Sequence, residues 1–393
     1  MQDREKKEEH REKNIGQEGR NGQEGRNGLE RRTGLETDRQ EDREEKLWRE
    51  AFYQELDAVK RQQMLKEREE VRNIGENADR TTAEIRFMEK LWIARYGKRR
   101  PKKDAFVGSL MELKYIAKKE DIGLTINQIL QSKLKISSRL RQQIINEKLI
   151  TCNELLCDTR KNLELGDFIN IDFNYWEDNS NIVPTPMDLD ILYEDEWILI
   201  VNKPSGIPVH PSMQHYENSL SNGIKFYFDT IGLHKKIRPV NRLDIGTSGI
   251  VVFAKCAYSH EYLSLQMQNN TFSKTYLAIV HGKLDENTGT IDLPIARKNN
   301  SIIERCIDFE TGKPSITKYE VLDYSIVSNC SLVKCNLITG RTHQIRVHFS
   351  YIGHPLIGDS LYSNFDFKRL MLHCSAINFT PIHTNDFIII KHI

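Results

Sequence analysis

Arg238-Pro-Val-Asn-Arg-Leu-Asp-Ile-Gly-Thr-Ser-Gly249 runs without a break into Ile250-Val-Val-Phe-Ala254. Gly246 and Gly249 allow a tight polar loop, and the apolar run behind them reads as a buried strand, so the loop presents Asp244 on a rigid scaffold. Outward from this strand, apolar or alternating runs recur at Ile191 to Tyr193, Trp197 to Asn202, Tyr276 to Val280, Leu332 to Leu337 and Phe387 to Ile390, with one helical stretch around Tyr258 to Asn269. Strands and helices do not alternate regularly. The expected class is therefore α+β, with a mixed, largely antiparallel sheet rather than a doubly wound parallel one. Asp244 is a candidate nucleophile or base, although aspartate in a glycine-containing turn also serves commonly as a local backbone acceptor.

A second polar stretch is Thr339-Gly-Arg-Thr-His-Gln-Ile-Arg-Val-His-Phe349, followed by Gly353-His-Pro-Leu-Ile-Gly-Asp-Ser-Leu-Tyr362. If residues 342–348 are extended, Thr342, Gln344, Arg346 and His348 share one face and His343, Ile345 and Val347 the other. Arg346 then faces a polar cleft, where its guanidinium orients Asp244 or forms an ordinary ion pair with it. His343, His348 and His354 are five and six residues apart. A spacing of five puts two strand side chains on opposite faces, so no metal site is expected.

The chain has 393 residues, 57 of them Lys or Arg and 56 Asp or Glu, for a formal charge of +1. That balance hides a division, because 57 of the first 120 residues are charged against 56 of the remaining 273. Residues 1–43, including the near-repeat Gly16-Gln-Glu-Gly-Arg-Asn-Gly22, are too polar and glycine-rich to pack and are expected to be a disordered tail. Residues 44–119 carry apolar patches at helical spacing (Leu47 to Val59, Ile85 to Tyr96, Phe106 to Ile116) and read as a helical extension of unassigned role. Between Arg95 and Lys119 nine basic residues face two acidic ones, a run that attracts phosphate backbones or simply lines a solvated face. No apolar run of membrane-spanning length or secretory leader is read, and seven scattered cysteines without a Cys-x-x-Cys pair suit a reducing cytoplasm.

From Gly123 the texture changes. Thr125 is placed to cap a helix carrying Ile126, Ile129 and Leu130, and Ser137 or Ser138 a second carrying Leu140 and Ile144. Two strand-like runs follow, Leu149 to Cys152 and Phe168 to Phe173, so residues 120–177 form a small unit of two helices and strands, and residues 178–190 a linker. Ile136-Ser-Ser-Arg139, Glu147-Lys-Leu-Ile150, Cys152-Asn153 and Leu165-Gly-Asp167 resemble the alpha-L RNA-binding module first described in a ribosomal small-subunit protein. Lys133, Lys135, Arg139 and Arg141 would be its RNA contacts.

Five blocks beyond the linker carry a stronger resemblance. Tyr193-Glu-Asp195, Asn202-Lys-Pro-Ser-Gly-Ile-Pro-Val-His-Pro211, Asn241-Arg-Leu-Asp244 through Ala254-Lys255, Lys274-Thr-Tyr-Leu-Ala278 with Gly282, and Gly340 to His348, together with Leu372-His373, are similar in order and spacing to the pseudouridine synthases of the large-subunit rRNA type. The resemblance covers residues 120–393, with 191–393 as the catalytic domain. It implies that Asp244 is the essential carboxylate, that Tyr276 stacks on the target base and relays a proton, and that Arg346 pairs with Asp244. Asn241, Arg242, Ile345 and Leu372 would contact the substrate, with Arg242 near the gap left by a flipped nucleotide. Asn241 stands where that family most often has His. Specific uridines of structured RNA, in rRNA or tRNA, would be isomerised by a monomer without metal or cofactor. The aspartate either attacks the sugar or base covalently or abstracts a ribose proton.

Overall fold

The computed structural model describes residues 111–393 apart from His383 and Asn385. The tail expected over residues 1–43 and the helical patches before residue 111 lie outside the described residues.

The described chain begins with β1 (Glu112–Ile116), α1 (Ile126–Ser132), α2 (Ser138–Asn146), β2 (Ile150–Cys152), β3 (Leu155–Leu156) and β4 (Phe168–Asp172). The strands form one antiparallel sheet in the order β1-β4-β2-β3. Thr125 caps α1, accepting from the Gln128 N–H at 3.2 Å, while the Gln128 side chain returns to the Thr125 N–H at 2.7 Å. Ser137, not Ser138, caps α2. β1 corrects the reading of Leu113 and Ile116 as helical. Their spacing of three fits a helix turn, but Leu113 is buried while Lys114 is exposed, and the strand register sets Leu113 against Ile171 and Tyr115 against Ile169. Pairing with β4 overrides a weak local pattern, so this sheet starts ahead of residue 120.

The larger body follows with β5 (Asp190–Glu194), β6 (Ile198–Lys203), α3 (Leu220–Thr230), β7 (Arg238–Pro239), β8 (Ser248–Ala254), α4 (Ala257–Gln268) and β9 (Ser273–His281). Then come β10 (Thr288–Asp292), β11 (Ile295–Arg297), β12 (Arg305–Ile307), β13 (Ile316–Ser325), β14 (Cys330–Leu337), α5 (Gln344–Tyr351), β15 (Leu372–Phe379) and β16 (Ile388–Lys391). Its main sheet runs β10-β13-β14-β9-β15-β8-β6-β5, and β11 and β12 make a separate hairpin. The fold is α+β, with a mixed and largely antiparallel sheet. Its one parallel contact among the described strands joins β8 to β15, over His373 opposite Ser248 and Cys374 opposite Gly249.

That seam is two residues long because the strands diverge beyond it. β7 then covers the freed edge of β8 at Phe253 and Ala254, and β16 covers that of β15 from Ala376 to Phe379. Gly249 permits the close approach: it has φ +115°, and a Cβ there would lie 2.3 Å from the Cys374 carbonyl oxygen.

The two sheets are joined by aromatic packing and a buried cation. The Phe173 ring stacks on Tyr258 at 5.3 Å and meets Trp197 edge-on at 5.9 Å. Lys235, fully buried, donates to the carbonyls of Phe173 (2.6 Å) and Tyr175. Glu261 of α4 accepts from the Ser137 hydroxyl (2.6 Å) and N–H (3.1 Å), adding a carboxylate to the positive end of α2. Trp197→Ala is expected to cost about 3–5 kcal/mol, as large-to-small core changes do, read as a lowered urea midpoint by circular dichroism.

Candidate active site

The loop before β8 turns at Asp244, whose carbonyl accepts from the Thr247 N–H at 3.1 Å. Three residues at the end of β6 and just beyond it fix this turn. The Lys203 ammonium, fully buried, donates to the carbonyls of Pro204, Ile207 and Ile245 at 2.9, 2.8 and 3.1 Å, the Ser205 hydroxyl donates to Gly246 O at 2.6 Å, and the Gly206 N–H to Ile245 O at 2.8 Å. Burial pushes the Lys203 ammonium down to about 8, with Asp244 pulling the other way. The loop backbone is thus held while the Asp244 side chain stays partly exposed.

Across from it, Gln344 opens α5. Its amide nitrogen donates to Ile316 O and Thr317 Oγ1, both at 3.0 Å, and its oxygen accepts from Thr339 Oγ1 (2.9 Å) and the Arg341 N–H (3.0 Å). Residues 342–348 are therefore not extended. His343 sits in the left-handed region at φ +58° as the helix N-cap, and residues 344–349 are buried on every side. A helix without an exposed face has no apolar period to read, and a short run of mixed polar and β-branched residues then passes for a strand. The face partition expected from alternation is corrected accordingly.

The helix nevertheless brings Arg346 to Asp244. Arg346 Nη1 lies 3.4 Å from Asp244 Oδ2, and His343 Nε2 is 3.9 Å from the same oxygen. Both face a cleft of about 390 Å³ whose lining includes Asn241, Arg242, Asp244, Lys274, Tyr276, Ile345, Arg346 and Leu372. Tyr276, on β9, is buried, and that burial, with Cys374 and Asp244 nearby, raises its hydroxyl well above the usual tyrosine range. Its phenol therefore stays protonated. Lys274, two residues earlier on the same strand face, has its ammonium lowered by burial. The cleft lining combines one carboxylate with Arg242, Lys274, Arg341 and Arg346, an arrangement suited to an anionic polymer.

A family model described as RNA pseudouridylate synthase matches residues 197–351. The uncharacterized RNA pseudouridine synthase YhcT of Bacillus subtilis is 36% identical over 276 residues, covering 70% of this chain and 90% of that protein. The chain belongs to the RNA pseudouridine synthase family. Ribosomal large subunit pseudouridine synthase D of Blochmanniella floridana is 34% identical over 258 residues, 63% of this chain and 79% of that one. The solved structure of human RNA pseudouridylate synthase domain containing 1 shares 27% identity, covers 52% of this chain and 83% of its own, and has a TM-score of 0.44. A second family model, of unknown function, matches residues 47–166.

All seven residues read from the synthase resemblance line this one cleft, but they are not equivalent there. Asn241 is buried, and its amide nitrogen donates to Ile250 O (3.0 Å) while its oxygen accepts from the Val252 N–H (2.8 Å). It imitates a strand partner for β8 and so fastens the Asp244 loop to that strand. Arg242 is exposed. The basic residues Lys133, Lys135, Arg139 and Arg141 lie on and around α1 and α2 and none lines the cleft. Lys133 pairs with Glu120 at 3.2 Å, and Arg141 donates to Ser138 Oγ at 3.1 Å.

The three histidines take separate partners. His343 Nδ1 is 2.8 Å from the Tyr362 hydroxyl, His348 contacts Thr317 Oγ1 (2.9 Å) and Leu293 O (3.0 Å), and His354 contacts His281 O (2.9 Å). Among the described residues no cluster of three or more His, Cys, Asp or Glu is placed to hold a metal ion. Lys203, Lys274, Asp359 and Tyr362 are the site-building residues to which sequence reasoning assigned no role. All four fall inside the polar stretches and blocks quoted from the sequence, which was their only signal.

Behind the seam, Ser248 Oγ and His373 Nδ1 are 2.9 Å apart, and His373 Nε2 contacts His392 O at 3.2 Å. Burial pushes the imidazole from 6.5 down to about 4. The unfolded chain then takes up a proton below about pH 6.5 that the folded chain refuses until about 4. The contribution of His373 to stability is expected to be complete above pH 6.5 and to fall through that window by up to about 3 kcal/mol. Urea midpoints at pH 7, 5.5 and 4.5 check this, with His373→Gln flattening the decline.

Proposed function

We propose that this RNA pseudouridine synthase isomerises specific uridines of structured RNA, in rRNA by preference to tRNA, with Asp244 as the catalytic carboxylate. The observation that carries this reading is the grouping of a partly exposed Asp244, Arg346 at 3.4 Å and the protonated Tyr276 in one cleft. The preference for rRNA follows relatives named as ribosomal large subunit enzymes.

The reaction breaks the bond between uracil N1 and ribose C1′, turns the base, and joins C1′ to C5, with the C5 proton lost and N1 protonated. It is redox-neutral, so its balance calls for no cofactor. Asp244 either adds to C1′ or to C6 of the base, or takes a ribose proton to give a glycal; each route needs one free carboxylate oxygen and a fixed counter-charge. Arg346 supplies the counter-charge. Tyr276 offers a flat ring for the base and a hydroxyl that donates. A uridine in folded RNA reaches such a cleft only by leaving its stack, and Arg242, exposed two residues before Asp244, is positioned to occupy the gap.

The exposed Lys135 and Arg139, with Lys133 and Arg141 at their flanks, support an RNA-binding role for the unit holding α1 and α2. Asp244→Asn is expected to keep fold and RNA affinity and to lower turnover at least about 1000-fold. Tritium release from RNA labelled at uridine C5 measures it, and pseudouridine formed by that variant would remove Asp244 from the role. Mapping pseudouridine in rRNA and tRNA of cells lacking the gene identifies the target; loss confined to tRNA would overturn the rRNA preference.

A further inference from the structure

The left-handed backbone of His343, φ +58°, is a region sparsely populated by residues with a side chain, and such an outlier persists only where surrounding contacts hold it. Its imidazole is 9% exposed, and the two ring nitrogens have different surroundings. Nδ1 lies 2.8 Å from the Tyr362 hydroxyl. That hydroxyl already accepts from the Arg305 N–H at 2.7 Å, so its single proton goes to Nδ1, its other hydrogen-bond partner among the described residues. Burial lowers the imidazole pKa from 6.5; Asp244 opposes the shift and Arg346 adds to it, so the ring is neutral at pH 7. A neutral imidazole that accepts at Nδ1 carries its own proton on Nε2. Nε2 faces the cleft, where Asp244 Oδ2 at 3.9 Å is beyond hydrogen-bond reach, and it has no hydrogen-bond acceptor among the described residues. Arg346, by contrast, is committed, since its Nε and Nη2 donate to Asp359 Oδ2 and Oδ1, both at 2.7 Å. A fixed, uncharged and unused N–H therefore stands beside the carboxylate.

We propose, on the reading of Asp244 as the catalytic carboxylate, that His343 Nε2–H is a catalytic hydrogen-bond donor to the O2 carbonyl of the bound uracil. Whichever route Asp244 takes, the N1–C1′ bond breaks with its electron pair going to the base, and negative charge spreads from N1 onto O2 and O4. O2 sits on the carbon next to N1, so it is the carbonyl oxygen nearer to the sugar carbon. A donor fixed there meets the charge as it forms, without reorganisation and without giving up its proton. Neutrality matters for the same reason. An imidazolium at this distance would draw in Asp244 and occupy the oxygen that the reaction needs. The turn that brings C5 to C1′ exchanges the two carbonyls, so the same N–H meets O4 afterwards and does not have to move.

The test uses the full chain and large-subunit rRNA transcripts made with C5-tritiated uridine or C5-tritiated 2-thiouridine, in which sulfur, a weak acceptor, replaces O2. His343→Asn tolerates the left-handed backbone and keeps an amide at the Nδ1 position, but has no group at the Nε2 position; His343→Gln keeps one there. On the uridine transcript the single-turnover rate is expected to fall at least about tenfold for His343→Asn and less than about threefold for His343→Gln. The ratio of uridine to 2-thiouridine rates is expected to be at least about fivefold larger for wild type than for His343→Asn, where the donor that sulfur would disable is already gone. Effects of sulfur on RNA folding and on the leaving group are common to both enzymes and cancel in that ratio. A His343→Asn rate within about twofold of wild type, a His343→Gln rate as low as that of His343→Asn, or an equal ratio in both enzymes overturns the proposal. So does a coupling seen with 2′-fluorouridine in place of 2-thiouridine, which would move the contact to the ribose. If thermal melting shows that His343→Asn does not fold, His343→Ala carries the same comparison. Asp244→Asn is assayed alongside: label released by it faults the assignment of Asp244, whereas His343 is judged by the 2-thiouridine ratio.

Discussion

The main sheet is two antiparallel half-sheets that touch in parallel over two residue pairs, and the rest of the molecule is arranged around that contact. Parallel neighbours cannot be joined by a hairpin, so β8 and β15 arrive from distant parts of the chain and bring different loops to the same place. β8 is preceded by the Asp244 loop, β15 begins at Leu372, and Tyr276 lies on β9, opposite Cys374 of β15. The cleft lies where these pieces meet, lined by the Asp244 loop, β9, the start of α5 and the first residue of β15. Because the seam is short, it depends on backbones approaching closely at Gly249, where any side chain would strike the Cys374 main chain. Substituting Gly249 would therefore displace Asp244 relative to Tyr276 before it altered either residue.

Around this junction the chemistry is set by how charges are constrained. Asp244 is held from below by backbone contacts to its loop and from the side by a guanidinium that is itself anchored elsewhere. The phenol of Tyr276, enclosed by the strands, is driven towards its neutral form by the absence of water. Charged groups whose partners are fixed need no reorganisation when charge develops on a bound nucleotide, which is where preorganised electrostatics lower a barrier. The same residues exposed on a flexible loop would pair with each other more tightly and do less.

How far the sequence disclosed this differs between the sheet and the cleft. Ile250 to Ala254 and Tyr276 to Val280 announce strands because each is an apolar run of strand length, buried on its faces, and Leu332 to Leu337 because Lys334 and Asn336 alternate with the buried Val333 and Cys335. The Asp244 loop was visible because two glycines and a polar run directly precede such a strand. The helix at Gln344 was not, since residues 344–349 are buried all round and its start is fixed by hydrogen bonds to Ile316, Thr317 and Thr339, contacts that no local pattern encodes. β1 was misread for a related reason: its partner lies some 55 residues away in β4. Asp359 illustrates the limit, being one aspartate in a turn-like string until the fold sets it against Arg346. Spacing reveals which segments are strands; only the assembled sheet reveals which of their side chains meet.

Two buried lysines show what the fold spends on holding its loops, and why the spending differs. Lys235 has the Phe173 and Tyr175 carbonyls and the Tyr175 ring as partners, so a neutral amine with two N–H groups would still satisfy both oxygens. Lys203 has three carbonyls, one of them from Ile245 next to Asp244. Its ammonium lies near 8 rather than 10.5, so between those values the unfolded chain holds a proton the folded chain has released, and stability rises with pH. Yet two N–H groups cannot serve three acceptors, and one loop carbonyl is then left without its donor. Stability and loop rigidity therefore move in opposite directions across the same pH range. In this junction the geometry of the site, more than the stability of the domain, is what requires Lys203 to remain charged.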